Sequence, residues 1–224
     1  MDREEYFRRW ADLHGGYDPA ASALSCWWLT MAYAAARRCR AVPPVAVTAT
    51  ALGAGLVVPV LVLPGTAWWL AAAAVTTVLS GFLDSLDGAV AVVTGRDTRL
   101  GFVLDSVADR LADSAYVVAL WLLGAPGWLC VAAGAVAALQ EYVRARAGAA
   151  GMRGIGVVTV FERPVRVILA AALLIAAAVL PGAVSPAADT VVVTAGAGIW
   201  LLLAMFGTGQ VLVAVRRRLG CGTD

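Results

Sequence analysis

Five aspartates interrupt otherwise apolar sequence: Asp84, Asp87, Asp105, Asp109 and Asp113. Asp84 and Asp87 are three residues apart and Asp105 and Asp109 four apart, so on helices each pair shares one face. The turn between the two helices is expected at about residues 94–100, which sets Asp87 and Asp105 roughly one to two helical turns from it, at matching depth. Carboxylates gathered this way repel, and each raises its neighbours' affinity for a proton unless cations neutralise them. Hard oxygen donors suit Mg²⁺, Mn²⁺ or Ca²⁺. The chemistry predicted is a divalent-metal site built from Asp84, Asp87, Asp105 and Asp109. Gly88 and Gly101, beside these acids, leave room for a substrate or for a neighbouring helix, and the residues alone leave both readings open.

The elements that must hold these acids are membrane helices. The 224-residue chain is 61% hydrophobic and 14% charged, against roughly 45–50% and about 25% in soluble domains, which excludes an ordinary soluble protein. Apolar runs at residues 45–63, 67–93, 102–123, 128–143, 167–180 and 190–215 approach the length of about 20 residues that crosses a bilayer. Turns at Pro64-Gly65, at residues 124–127 and at residues 181–186 join them in pairs. An acid inside such a span costs at least about 2.5–3.5 kcal/mol on insertion scales, so four together require a compensating partner.

The cations follow the spans. Six arginines precede the first span, Arg96 and Arg99 lie between the second and third, five lie between the fourth and fifth, and Arg216, Arg217 and Arg218 follow the sixth. The three opposite turns carry none, which is the positive-inside pattern, and it places both termini in the cytosol. Arg110, inside the third span, is expected to pair with Asp113 or a neighbour, both as structural residues. Trp68, Trp69 and Trp128 mark the opposite interface. Residues 20–40, with Trp27, Trp28, Met31 and Tyr33 before Arg37, Arg38 and Arg40, predict an amphipathic helix along the cytosolic interface, or alternatively a short seventh hydrophobic helix. The fold class is therefore all-α integral membrane, with six transmembrane helices preceded by an interfacial helix. The division is a cytosolic amino-terminal segment (1–42), a six-helix membrane domain (43–218) and a cytosolic tail (219–224). Residues 1–18 are polar, so no signal peptide is expected. Cys26, Cys39, Cys130 and Cys221 form no CxxC pair and read as inert, as does the solvated His14. A net charge of +2 with no basic patch excludes nucleic acid as a partner.

The acids also spell a signature. Asp84-Ser85-Leu86-Asp87-Gly88-Ala89-Val90-Ala91, nine intervening residues, then Gly101-Phe102-Val103-Leu104-Asp105-Ser106-Val107-Ala108-Asp109 resembles the motif DxxDGxxAR-x8-GxxxDxxxD of the CDP-alcohol phosphotransferase (CDP-alcohol phosphatidyltransferase) family. Val92 stands where that motif has arginine, and Arg96 or Arg99 is expected to reach back in its place. Residues 44–48 are similar to the family's entry into its first helix, with Val45 for its asparagine. Residues 141–147 and 161–166 resemble segments of bacterial phospholipid synthases, in particular actinobacterial phosphatidylinositol-phosphate and phosphatidylglycerophosphate synthases.

The resemblance implies transfer of a phosphatidyl or similar group from a CDP-alcohol such as CDP-diacylglycerol to a polar alcohol, with inositol phosphate or glycerol phosphate as examples, releasing CMP. It implies two Mg²⁺ or Mn²⁺ ions held by Asp84, Asp87, Asp105 and Asp109, with Asp109 also the general base. Gly88, Ala91, Gly101 and Arg96 are assigned to the CDP-alcohol. Arg144, Arg146, Arg163 and Arg166 are assigned to the acceptor, although the same arginines also read as topology-setting charge. It further implies a homodimer in the bacterial inner (plasma) membrane, multi-pass, with its active site facing the cytosol. Two other readings stand beside it: a family member that binds CDP-lipid without turnover, suggested by Val92, and a small cation-coupled transporter, disfavoured because the acids cluster toward one side.

Overall fold

The computed structural model describes residues 1–13, 22–152, 158–180 and 186–219. Its helices are α1 (Arg3–Leu13), α2 (Ala23–Arg38), α3 (Pro44–Val62), α4 (Ala67–Thr94), α5 (Arg99–Leu122), α6 (Gly127–Ala149), α7 (Arg163–Val179) and α8 (Pro186–Leu219). No strand occurs among the described residues.

Local chemistry accounts for the ends. Asp2 caps α1, its Oδ1 accepting from the Glu5 amide at 2.8 Å, and Ser22 caps α2 by accepting from Ser25. Pro44 opens α3, where a missing N–H costs nothing. Gly95 ends α4 at φ +64°, a left-handed conformation natural to glycine, and the Arg96 amide folds back to the Ala91 carbonyl at 3.0 Å. Thr98 then caps α5, its hydroxyl oxygen accepting from the Gly101 amide at 3.0 Å.

Among the described residues, three helices are long and apolar enough to cross a membrane: Pro44–Val62, Ala67–Thr94 and Thr190–Leu219. Helix α5 carries Asp105, Asp109, Arg110 and Asp113, and α7 has only 17 residues. The chain is a multi-pass membrane protein. Several helices outrun the apolar runs that betray them: α6 continues through Arg144 and Arg146 to Ala149, since arginine is a good helix former and needs no apolar setting. The helix expected over residues 20–40 is α2, and a further helix, α1, which the sequence reading did not foresee, precedes it. The turn at residues 181–185, His14, Cys221 and residues 220–224 of the tail lie outside the described residues. Cys26, Cys39 and Cys130 are free thiols.

The chain divides into two compact units. The first comprises Met1–Gly53 and Leu79–Asp109. Its core holds Tyr6, Leu29, Ala32, Tyr33 and Ala36 from α1 and α2, with Val47, Leu86, Ala89, Val90 and Val92. The second comprises Ala54–Val78 and Arg110–Asp224. Its core is built around Tyr116, Leu120, Phe161, Leu174 and Trp200, with many alanines that let helices approach closely. Gly207 of α8 is such an approach, because a Cβ there would meet Gln140 Oε1 at 2.6 Å.

Candidate active site

In the first unit, one carboxylate oxygen each from Asp84, Asp105 and Asp109 lies within 4.8 Å of the other two. Asp87, 5% exposed, neighbours Asp84 and Asp105 and is touched by Thr48. Its Oδ2 has no hydrogen-bond partner among the described residues. An orphaned buried carboxylate oxygen beside three convergent carboxylates fits a hard divalent cation, which takes oxygen ligands and supplies the missing charge.

Helix periodicity explains why α4 presents these groups together. At 100° per residue, Asp84, Asp87, Gly88 and Ala91 fall within an arc of about 100°. Open space lies over Gly88, where an added Cβ would meet nothing within 4 Å. No described neighbour therefore requires this glycine for packing. At Gly101 a Cβ would stand 3.0 Å from the Thr98 hydroxyl, so that glycine serves the cap of α5. Arg96 and Arg99 are exposed at the turn, and Val92 is 7% exposed inside the core with Tyr6 and Leu86. A guanidinium at position 92 would enter an apolar cluster, which gives a physical reason for valine there.

The second unit brings together a different set. Arg166, with no exposed surface, donates to Asp113 Oδ2 at 2.8 Å and to Glu141 Oε1 at 2.9 Å, its guanidinium 5.2 Å from the Phe161 ring. Arg110 lies 3.6 Å from Asp113 and 3.5 Å from Glu141, so the expected pairing with Asp113 is present. Arg144 binds Glu141 at 3.3 Å and Glu162 at 2.8 Å. Thr159 donates its amide and hydroxyl to Glu162 at 2.7 and 2.8 Å. Burial acts to raise the Glu162 carboxyl, and the hydrogen bonds and charge of Arg144, with those from Thr159, overcome it and hold the group below its ordinary range.

Of the four arginines assigned to an acceptor, Arg144 and Arg166 are thus engaged by the chain's own carboxylates, Arg146 is exposed and Arg163 is half-buried. Glu141 and Glu162 lie in the segments that resemble phospholipid synthases but receive no role from the sequence, and Thr159 and Gln140, the latter donating to Thr159 at 3.0 Å, are not marked by it at all. Glu141 and Arg144, one turn apart at the end of an apolar run, were the available signal.

The family model described as CDP-alcohol phosphatidyltransferase matches residues 41–217. A phosphatidylinositol phosphate synthase of Mycolicibacterium smegmatis is 35% identical over 145 residues, 55% of this chain and 63% of that protein. An archaetidylinositol phosphate synthase of Aeropyrum pernix is 37% identical over 92 residues, 40% of this chain and 47% of its own length. The chain thus spans about half to three fifths of these curated relatives. A crystal structure of Mycobacterium tuberculosis phosphatidylinositol phosphate synthase with CDP-DAG bound superposes with a TM-score of 0.68 at 25% identity, covering 87% of this chain and 98% of that one. The same enzyme in complex with manganese and citrate gives 0.66 at 26% identity, covering 86% and 92%. With the match at residues 41–217 spanning helices α3 to α8 and the motif's four acids gathered in one unit, this chain belongs to the CDP-alcohol phosphatidyltransferase family.

Proposed function

We propose that this protein transfers a phosphatidyl group from CDP-diacylglycerol, or a similar CDP-alcohol, to a polar alcohol and releases CMP. The observation that carries this reading is the convergence of Asp84, Asp105 and Asp109 within 4.8 Å. Asp84, Asp87, Asp105 and Asp109 would hold two Mg²⁺ or Mn²⁺ ions. The bound cations neutralise the diphosphate and make its phosphorus easier to attack. Asp109 takes the proton of the acceptor hydroxyl, whose oxygen bonds to the phosphatidyl phosphorus. The bond from that phosphorus to the phosphate oxygen of CMP breaks, and CMP leaves with its electron pair. The open space over Gly88 admits the diphosphate beside the α4 backbone, flanked by Ala91 and Gly101, and Arg96 supplies charge at the turn.

Arg146 and Arg163 bind an acceptor phosphate, as guanidinium groups do in bidentate fashion. Arg144 and Arg166 are oriented by their pairs with Glu162, Glu141 and Asp113. The relatives named phosphatidylinositol and archaetidylinositol phosphate synthases favour inositol phosphate over glycerol phosphate as that acceptor.

Helices α3 to α8 are six spans, preceded by an interfacial segment. Support comes from large apolar side chains left exposed on the other helices of the membrane domain: Val107 on α5, Val131 on α6 and Ile168 on α7 are 51%, 72% and 56% exposed. Trp68 and Trp128 are exposed at one interface, and α2 exposes Trp27 and Met31 while ending in Arg37 and Arg38. Both termini and the site face the cytosol of a bacterial cell, and two copies pair in its inner membrane.

The test is CMP release by the full chain in nanodiscs supplied with CDP-diacylglycerol, Mn²⁺ or Mg²⁺, and inositol phosphate, glycerol phosphate or inositol. Acceptor-dependent release is expected, falling about 10³-fold in Asp109→Asn. Metal-dependent binding of CDP-diacylglycerol with no release for any acceptor would instead identify a binding protein without turnover.

A further inference from the structure

The acid-bearing face of α4 has a back, and the amino-terminal helices occupy it. On a helix, Ser85 and Leu86 project opposite to Asp84 and Asp87, since the two pairs centre about 180° apart. Both back residues are held. The Trp28 indole N–H donates to Ser85 Oγ at 2.9 Å, and the Ser85 hydroxyl donates to the Gly81 carbonyl at 3.2 Å, so its partners on both sides are fixed. Trp28 also meets Phe82 edge-on at 5.4 Å. Leu86 is 6% exposed in the core that Tyr6, Leu29 and Tyr33 build. The Tyr6 and Tyr33 rings stack at 5.2 Å, and the Tyr33 hydroxyl donates to the Met1 carbonyl at 3.0 Å, which ties the start of α1 to α2. Val92 completes this apolar back.

We propose that α1 and α2, which lie outside the family match at residues 41–217, form a brace that sets the rotation of α4 at its metal-binding turn, with Trp28 and Ser85 as the positioning pair. Apolar packing alone fixes rotation weakly, because side chains slide. A directional N–H to oxygen bond fixes it sharply. The lever is short and the tolerance small: a carboxylate some 6 Å from the helix axis moves about 2 Å when the helix turns by roughly 20°, whereas Mn²⁺-type ions hold oxygen ligands near 2.1 Å within a few tenths. Trp28 and Ser85 touch neither substrate nor metal in this account. They act through Asp84 and Asp87.

The inference rests on the metal reading of the four acids, so its test reads metal directly. Mn²⁺ is titrated into the full chain in nanodiscs and free ion is followed by electron paramagnetic resonance, without turnover. Trp28→Phe keeps the ring and removes the donor; Ser85→Ala removes the acceptor. Each is expected to raise the half-saturating Mn²⁺ concentration about fivefold, the scale of one hydrogen bond. The double variant is expected to show the same fivefold loss rather than the product, and Ser85→Thr, which keeps the hydroxyl, is expected to retain wild-type affinity. A general loss of packing would not be rescued by threonine. Wild-type affinity in both Trp28→Phe and Ser85→Ala, or fully multiplicative losses, would overturn the brace while leaving the metal site standing. A wild-type chain that takes up no Mn²⁺ would overturn both, and Mn²⁺ uptake without CMP release would overturn the proposed reaction alone.

Discussion

The carboxylates Asp84, Asp87, Asp105 and Asp109 of the first unit and Asp113, Glu141 and Glu162 of the second are chemically alike, yet the fold treats them differently. In the second unit three carboxylates meet three guanidiniums, Arg110, Arg144 and Arg166, at 2.8 to 3.6 Å, and the set sums to zero charge. In the first, three carboxylates point at one another within 4.8 Å and a fourth keeps a buried oxygen without a hydrogen bond among the described residues. Burying a neutral network is a structural solution, since each charge carries its own compensation. Converging carboxylates repel one another, and a divalent cation among them would relieve that repulsion. The convergence of acids on one another, more than their presence, marks a candidate metal site.

That contrast breaks most visibly at Arg166. Arg166→Ala removes the cation shared by Asp113 and Glu141 in a position with no exposed surface, leaving buried carboxylate behind. Its expected cost is about 3–5 kcal/mol of stability, read from thermal or denaturant unfolding in detergent, and equal with EDTA or with Mn²⁺. Arg166→Met combined with Asp113→Leu is expected to recover much of the loss, because a stranded carboxylate, rather than a missing contact, is what costs. A loss below about 1 kcal/mol in the single variant would show the network to be ordinary surface pairing.

The two regions also differ in how much of them the chain discloses before folding. The aspartates of the first unit are legible because helix periodicity acts over three or four residues: spacing alone puts Asp84 with Asp87 and Asp105 with Asp109. The apolar runs and their turns likewise foretell α3 to α8 to within a few residues in most cases. The pairing of Arg166 with Asp113 is not legible, because 53 positions separate them and no local rule reaches that far. Arginines on a loop read equally as topology, as phosphate ligands or as partners of distant acids. Helix α1 escapes notice for another reason: only Tyr6 and a few neighbours of its eleven residues face a core, too weak a stripe to stand out among charges, although Asp2 and Glu5 already spell a capping pair. Trp28 and Ser85 are invisible for want of any rule linking residues 57 apart.

A smaller effect of opposite sign is expected at Asp105. In EDTA, Asp105→Asn relieves repulsion among the convergent carboxylates and is expected to stabilise the fold by about 1 kcal/mol. With Mn²⁺ at about 100 times its dissociation constant, wild type gains about 2.7 kcal/mol, and the variant is expected to gain less than half of that. The order of stability therefore inverts between the two conditions. An Asp105→Asn protein less stable than wild type in EDTA would mean that the contacts Asp105 makes within the chain outweigh the repulsion from its neighbouring carboxylates, and the distinction between the two regions would fall.

Glu162 gives the finest test, because it probes the compensated region through protons alone. Its carboxyl is held below its ordinary range in the folded chain: burial works against this, and the Arg144 hydrogen bonds and charge, with Thr159, outweigh it. A depressed carboxyl contributes stability that is fully present above its unfolded value of about 4.3 and is lost as pH falls through the folded value. Unfolding free energy is therefore expected to drop on acidification below about pH 4.3, and Glu162→Gln is expected to remove a share of that drop of about 1 kcal/mol. The comparison is made in EDTA, so that proton competition for metal at the aspartates does not contribute. An acid limb unchanged in Glu162→Gln would mean that Arg144 gains as much from Glu141 alone, which lies 3.3 Å away, and that the network redistributes its pairs when one carboxylate is lost.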